Sequence, residues 1–133
     1  MDRDLRELVR RRAGERCEYC RLQQRHYPDF NFHIEHVVAR QHRGETEAGN
    51  LALSCHHCNL KKGPNLAGLD PKSGKLTALF HPREQLWEEH FEESENGEIR
   101  GRTAIGRATV EVLGMNEEVR IQIRRQIGAE HEE

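Results

Sequence analysis

Two Cys-x-x-Cys pairs constrain this chain more than any other feature. All four cysteines lie in these pairs, Cys17 with Cys20 and Cys55 with Cys58. Two intervening residues let both sulfurs of a pair approach one ion at about 2.3 Å, and two such pairs complete a closed tetrahedral Cys₄ site. We therefore expect a structural zinc ion. The alternative is thiol redox chemistry, but a thioredoxin-like pair needs a βαβ setting that is absent here.

The composition suits a chain that is stabilised by such an ion. Hydrophobic residues make up 35% and charged residues 33% of the 133 positions. This leaves few apolar side chains to form the hydrophobic core of one domain. No apolar run approaches the roughly 20 residues that span a bilayer, and the N-terminus has no apolar signal-peptide segment. We expect a cytoplasmic protein with no membrane partner, where paired cysteines bind metal rather than form disulfides.

Charge is distributed unevenly along the chain. Residues 1–63 carry 12 Lys+Arg and 9 Asp+Glu, whereas residues 64–133 carry 9 and 14, although the net charge of the whole chain is only −2. The basic half is also the half with both cysteine pairs. Because local field matters more than total charge for attracting a polyanion, the net charge does not exclude a nucleic-acid partner.

The predicted elements of the first half surround the second cysteine pair. Residues 2–13 predict a helix that Asp2 or Asp4 caps and Gly14 ends. Residues 30–38 predict a strand, 40–49 a polar loop, 51–54 a second strand and 56–62 a short helix. The order strand, loop, strand, helix thus fits within about thirty residues. We take residues 1–68 as the functional core and 69–133 as an accessory extension packed on it.

The extension predicts a hairpin and helices. Asn96-Gly97 is a strong two-residue hairpin signal, and residues 82–90 predict a short helix. Thr103 is placed to cap a helix through Leu113, and a last helix is expected from Asn116 to Gly128. The predicted fold class is therefore α+β.

Four polar residues near the second cysteine pair could carry chemistry. In Glu35-His36, a carboxylate can bind a hard divalent ion and the adjacent imidazole can take a proton from water. Asn59 directly follows Cys58 and can offer a neutral oxygen to the same ion. Asn50 can pin the loop through local hydrogen bonds. Each feature alone is common on protein surfaces, so the argument depends on their order and spacing.

That order resembles the HNH endonuclease motif of the ββα-metal nucleases, in the subtype with two zinc-binding Cys-x-x-Cys pairs. Its pattern is an acidic residue and His, an Asn about a dozen residues on, then Cys-x-x-Cys-Asn with Lys-Gly close behind. The resemblance covers roughly residues 5–68, and the remaining tail is similar to that of small stand-alone bacterial HNH proteins. It implies a ββα-metal core stapled by a Cys₄ zinc site, with an N-terminal helix and a C-terminal hairpin-plus-helices extension.

The resemblance also implies a role for each matching residue. His36 matches the general base, and Glu35 with Asn59 matches the ligands of one catalytic Mg²⁺ or Mn²⁺. Asn50 matches the middle Asn that orients the loop bearing the base, and the four cysteines match the zinc ligands. The acidic ligand is often Asp in this family, so Glu35 leaves the metal preference open. His57 is an alternative to Asn59, and His33 could be a further ligand.

Double-stranded DNA is the partner that the resemblance implies. Family members contact phosphates near the motif helix, and the cations placed for this are Arg40, Arg43, Lys61 and Lys62. The alternative function is a non-catalytic zinc-ribbon-like module that binds nucleic acid. Such a module has no use for the set of Glu35, His36, Asn50 and Asn59, which favours the endonuclease.

Overall fold

A computed structural model describes residues 1–131, and within them the chain has an α+β architecture of helices and small antiparallel sheets. The α+β class predicted from the sequence is confirmed. Two compact units are present, one of residues 1–66 with 81–85 and one of 67–80 with 86–133. The functional boundary at residue 68 stays a prediction. None of the helices in residues 1–131 has the length and apolar character needed to cross a membrane.

The first unit begins with helix α1, Arg3–Ala13. Asp2 is its N-cap, because the Asp2 side chain accepts a hydrogen bond from the Leu5 N–H at 2.8 Å. Gly14 ends it with a left-handed φ of 65°, a conformation that glycine adopts without steric cost. The predicted helix and its end are confirmed, and Val9 is its buried residue.

The centre of the first unit is a two-stranded sheet followed by a helix. Strand β1, His33–His36, pairs antiparallel with strand β2, Leu51–Ser54. Helix α2, His56–Lys62, follows and ends at Gly63. The predicted β2 and α2 are confirmed. Buried apolar side chains form the core of this unit, among them Val9, Leu22, Phe32, Val37, Leu51 and Leu53.

Strand β1 is shorter than the predicted strand because the backbone on either side of it has other partners. The Phe32 N–H donates to the Gln24 side-chain oxygen at 2.6 Å. After the strand, the Val37 N–H still donates to the Asn50 carbonyl at 2.9 Å, but the Val38 N–H donates to the Asn50 side chain at 2.8 Å and not to backbone. These contacts end the regular pairing with β2.

The second unit contains four strands and three helices among the residues described. The strands are β3, Ala67–Leu69, β4, Leu76–Ala78, β5, Phe91–Glu93, and β6, Ile99–Gly101; the helices are α3, Trp87–His90, α4, Ala104–Leu113, and α5, Glu118–His131. The hairpin at Asn96-Gly97 is confirmed, since β5 pairs with β6 and Gly97 has a φ of 89°. The predicted cap of α4 is also confirmed, because the Thr103 side chain accepts from the Gly106 N–H at 3.1 Å.

Two predicted helices of this part of the chain have different bounds. Only Trp87–His90 of residues 82–90 is helical, because the N–H groups of Glu84 and Gln85 close a turn on the His81 carbonyl. Helix α5 continues past Gly128, since a glycine inside a helix costs only about 1 kcal/mol relative to alanine. Asn116 does not open that helix and instead bonds both backbone groups of Ile99.

Candidate metal centre and active site

The four cysteines form one buried cluster in the first unit. Their sulfur atoms all lie within 4.8 Å of one another, although Cys17 and Cys20 are more than thirty residues from the other pair. The Sγ atoms of Cys20 and Cys55 are 3.7 Å apart, and all four cysteines are free thiols. Tetrahedral coordination with zinc–sulfur bonds of about 2.3 Å gives sulfur–sulfur distances of about 3.8 Å. The cluster therefore has the size of a zinc-type Cys₄ site.

The electrostatics of the cluster also suit a cation. Hydrogen bonding to neighbouring thiols raises the pKa of Cys55, and burial raises the pKa of Cys58. Four buried thiols therefore resist ionisation by themselves. A divalent cation reverses this preference because it stabilises the thiolate form directly. The chemistry and spacing of the sulfurs fit a structural zinc ion.

Helix α2 lies against the face of β1 that carries His33 and Glu35. At the start of the helix, His56 Nδ1 lies 3.5 Å from His33 Nε2. At its end, Lys62 Nζ lies 3.8 Å from Glu35 Oε2. Asn59 is three residues from both His56 and Lys62, and residues three apart share a helix face. Asn59 therefore lies between the two contacts, on the side that faces Glu35.

Glu35 has a buried carboxylate, 7% exposed. Tyr19, which stands between Cys17 and Cys20, donates its hydroxyl hydrogen to Glu35 Oε1. Burial raises the pKa of Glu35 to about 7, against the opposing effects of Lys62 and Tyr19. A carboxylate and an amide oxygen are donors that Mg²⁺ and Mn²⁺ accept, so the donor types of Glu35 and Asn59 suit such an ion. The ammonium group of Lys62 competes with it for the same carboxylate.

His36 lies at the end of β1 and is half-buried. Its Nε2 atom is 2.8 Å from Thr46 Oγ1, and Arg40 Nη1 donates to the same oxygen at 3.0 Å. Burial, and next the charge of Arg40, lower the pKa of His36. A lowered pKa favours the neutral form of the ring, which can accept a proton. As a strand neighbour of Glu35, it projects from the opposite face of β1.

Asn50 closes the loop between β1 and β2. Its Oδ1 accepts from the Val38 N–H at 2.8 Å, and its Nδ2 donates to the carbonyls of Val38 at 3.0 Å and Glu45 at 2.9 Å. Gly44 leaves room for this amide, since a Cβ at Gly44 would lie 2.8 Å from Asn50 Nδ2 and 1.7 Å from the Val38 oxygen. One buried amide thus ties both ends of the loop together.

The four cations predicted to contact DNA have different surroundings. Arg40, Arg43 and Lys61 are exposed. Lys62 is only 1% exposed, and its Nζ donates to the Val37 carbonyl at 2.9 Å. An ammonium group that is buried and engaged in this way is not accessible to a phosphate of DNA. We therefore correct the predicted role of Lys62 and remove it from the DNA-contacting set.

The alternative ligands identified in the sequence take other positions. His33 is exposed and contacts His56. His57 is half-buried, and its ring centroid lies 6.0 Å from that of Tyr27. Sequence reasoning missed Tyr19 and Thr46, which contact Glu35 and His36. The position of Tyr19 inside a Cys-x-x-Cys pair could have indicated the first contact, whereas nothing in the sequence distinguishes Thr46.

Comparison with known proteins agrees with this arrangement. The family model of the HNH endonuclease matches residues 17–65, which include all four cysteines and the β1-β2-α2 unit. The resemblance found in the sequence is confirmed over these residues, which match the HNH endonuclease family. The match covers less than half of the chain and supports a nuclease or other nucleic-acid-related function in general. No curated protein and no solved structure matches the chain.

Proposed function

We propose that this protein is an HNH endonuclease that hydrolyses phosphodiester bonds of double-stranded DNA with a divalent metal ion and a histidine base. The observation that supports it most is the position of His36 within the matched HNH domain. The imidazole is fixed through Nε2 by Thr46, and its lowered pKa keeps it able to accept a proton. The four thiols for zinc suit a reducing, cytoplasmic compartment.

In this proposal, His36 takes a proton from the water that attacks phosphorus. One such base typically contributes about 10²–10⁴-fold to the rate. Glu35 and Asn59 would hold Mg²⁺ or Mn²⁺, which when bound supplies Lewis-acid stabilisation of charge on the phosphate and leaving oxygens. Asn50 fixes the loop beside the base.

DNA binding is assigned to the exposed cations near the site. Arg40 and Arg43 lie in the loop after β1, and Lys61 lies on the exposed side of α2. These side chains can contact phosphates, which fix orientation on the duplex without reading sequence. We expect affinity that falls steeply with salt, because each neutralised phosphate releases counterions.

A second candidate function is supported by the surroundings of Glu35. Its carboxylate is already engaged by Tyr19 and lies beside Lys62, so it is charge-compensated without a divalent ion. A protein that uses Glu35 only to hold the fold could bind nucleic acid without cutting it. This alternative is a zinc-ribbon-like binding module.

Plasmid nicking with Mg²⁺ or Mn²⁺ tests the proposal, once about one zinc ion per chain is confirmed. The wild type should cut, His36→Ala should not, and His42→Ala should cut normally. His42 is a matched control because it is an exposed histidine of the loop that follows β1. Cutting by His36→Ala at the wild-type rate would remove His36 as the base. DNA binding without cutting by a zinc-loaded wild type would support the binding module instead.

A further inference from the structure

Three exposed rings lie in a row on the first unit, and we call them the aromatic platform: Phe30, His56 and His33. Phe30 stacks on His56, with ring centroids 5.6 Å apart and 16° between the ring planes. His33 lies against His56 with centroids 5.7 Å apart, and the two imidazoles approach to 3.5 Å through Nε2 of His33 and Nδ1 of His56. All three residues are exposed, so these rings meet at the surface and not in the core.

Phe30 has surroundings unlike those of the neighbouring phenylalanine. Phe30 is 58% exposed, whereas Phe32, two residues later, is 3% exposed and belongs to the core. Among residues 1–131, His56 is the one ring in contact with Phe30. Because apolar side chains stabilise a fold through removal from water, the exposed ring of Phe30 adds little to folding and is available to a ligand.

The loop that carries Phe30 is held in place by one side chain. Gln24 Nε2 donates to the carbonyls of Phe30 at 2.6 Å and Tyr27 at 3.1 Å. The Oε1 atom of Gln24 accepts from the Phe32 N–H at 2.6 Å. The backbone is therefore fixed on both sides of the exposed ring, and a ring that is fixed in advance loses little conformational entropy when a ligand stacks on it.

We propose that the aromatic platform binds an unpaired nucleobase of DNA beside the phosphodiester bond that the nuclease site cuts. A nucleobase offers its π-face to a protein ring only where it has left the stack of the duplex, so this contact selects an unpaired nucleotide. The charge nearby suits the same ligand, because residues 1–63 carry 12 Lys+Arg against 9 Asp+Glu. Lys61 is also exposed on α2, the helix that begins at His56.

The position of the platform relates the unpaired nucleotide to the cut. His33 and Glu35 lie on the same face of β1, two residues and therefore about 7 Å apart along the strand. This equals about two base steps of about 3.4 Å in a DNA strand. A nucleobase on the platform therefore places a phosphate about two nucleotides away beside the proposed metal ligands. This inference rests on the proposed nuclease function for the cut, but binding of the nucleobase can be measured without cutting.

The affinity for three DNA duplexes tests the platform. One duplex is fully paired, one has a single unpaired adenine, and one has an abasic nucleotide at that position, which keeps the flexible backbone and removes only the nucleobase. Fluorescence anisotropy with zinc-loaded protein, without added Mg²⁺ or Mn²⁺, measures binding to intact DNA. The wild type should bind the adenine duplex about 5- to 150-fold more tightly than the abasic duplex, the range that stacking of one nucleobase gives. Equal affinity for these two duplexes would overturn the inference.

Substitutions of Phe30 separate stacking from general apolar contact. Phe30→Leu keeps an apolar side chain without a π-face and should lose most of the preference for adenine over the abasic nucleotide, whereas Phe30→Tyr keeps the ring and should retain the preference. Leu76→Ala, which shortens another exposed apolar side chain, is the control and should match the wild type. The zinc content of each variant confirms that the first unit is folded. An unchanged preference in Phe30→Leu would contradict the platform.

Mapping of the cut sites with Mg²⁺ tests the link to the nuclease site. The wild type should cut the adenine duplex within about two nucleotides of the unpaired adenine, and Phe30→Leu should cut without this preference. A wild type that cuts at positions unrelated to the adenine would overturn this inference and leave the proposed function intact. A wild type that prefers the adenine duplex over the abasic duplex but cuts neither would support the platform and refute the nuclease.

Discussion

Lys61 and Lys62 are adjacent lysines on α2 with opposite surroundings. Lys61 is exposed, whereas Lys62 lies beside Glu35 and bonds the Val37 carbonyl. A buried charge that loses its partner is costly, because the remaining charge has neither water nor a counterion. The same residue type therefore serves DNA binding at one position and internal charge compensation at the next.

Replacing each lysine by methionine should separate these roles. Lys62→Met leaves Glu35 buried without its cation and the Val37 carbonyl without its donor. Because the pKa of Glu35 is already about 7, its carboxyl can take up a proton, so we expect the free energy of unfolding to fall by about 1–3 kcal/mol. Lys61→Met should change it by no more than about 0.5 kcal/mol while weakening DNA binding. Urea unfolding of the zinc-loaded proteins measures both. Equal stability of the two variants would contradict the buried ion pair.

The pH dependence of cleavage should show the lowered pKa of His36. A general base acts when it is unprotonated, so the rate should rise with pH and level off above the histidine pKa. Because burial and Arg40 lower that pKa, the midpoint should lie below the ordinary value of about 6.5. Arg40→Gln removes one cause and should move the midpoint upward, toward 6.5. Arg43→Gln, the control, should leave it in place, and an equal shift in both variants would contradict the assignment.

At the scale of elements, the loop between β1 and β2 depends on close approach of backbone to backbone. A Cβ on Gly44 would lie 1.7 Å from the Val38 oxygen, which no rotamer change can relieve. Gly49 lies in the same loop and has nothing within 4 Å of its Cβ position. Only one of the two glycines is therefore required by the structure.

Gly44→Ala should displace the loop and, with it, the Asn50 amide. We expect lower stability and slower cleavage, because the residues beside His36 lose their anchor. Gly49→Ala should be close to the wild type in both. Hydrogen exchange of the Val38 amide reports the anchor directly, and full protection of that amide in Gly44→Ala would show that the loop absorbs the change.

The elements that could be predicted from sequence are those with local signals. The residues of strand β2 and helix α2 have a periodicity and a length that indicate these elements, and Gly63 marks the end of α2. The spacing of the cysteines likewise indicated the metal cluster. Strands β3 and β4 were missed because they are three-residue strands without a strong period. The contacts of Tyr19 and Thr46 were missed because they join residues at least ten positions apart through side chains.

At the scale of the molecule, each unit has its own buried core. The core of the second unit includes Phe80, Phe91, Ile99, Leu113 and Met115, and it contains none of the cysteines. The first unit instead gathers both cysteine pairs in its interior. Zinc should therefore be needed by one unit and not by the other.

Chelation of zinc tests this division, because the single tryptophan of the chain, Trp87, lies in the second unit. EDTA should reduce helical circular dichroism and expose the cysteines to thiol reagents while Trp87 emission stays unchanged. Cys58→Ser should behave in the same way without a chelator, and added zinc should restore only the wild type. A shift of Trp87 emission on chelation would show that the units unfold together.

Two asparagines use the same contact in different units. Asn50 bonds the N–H and the C=O of Val38, and Asn116 bonds the N–H and the C=O of Ile99. A side-chain amide carries the same donor and acceptor as a peptide group. Each asparagine therefore bonds its partner residue as a neighbouring strand would, although the asparagine itself is not in a strand. Each such contact holds the two ends of its loop together whatever side chains the exposed positions between them carry. Substitutions at the exposed Gln41 and His42 should therefore preserve the register of β1 with β2, which makes these two positions sites where new DNA contacts can be introduced.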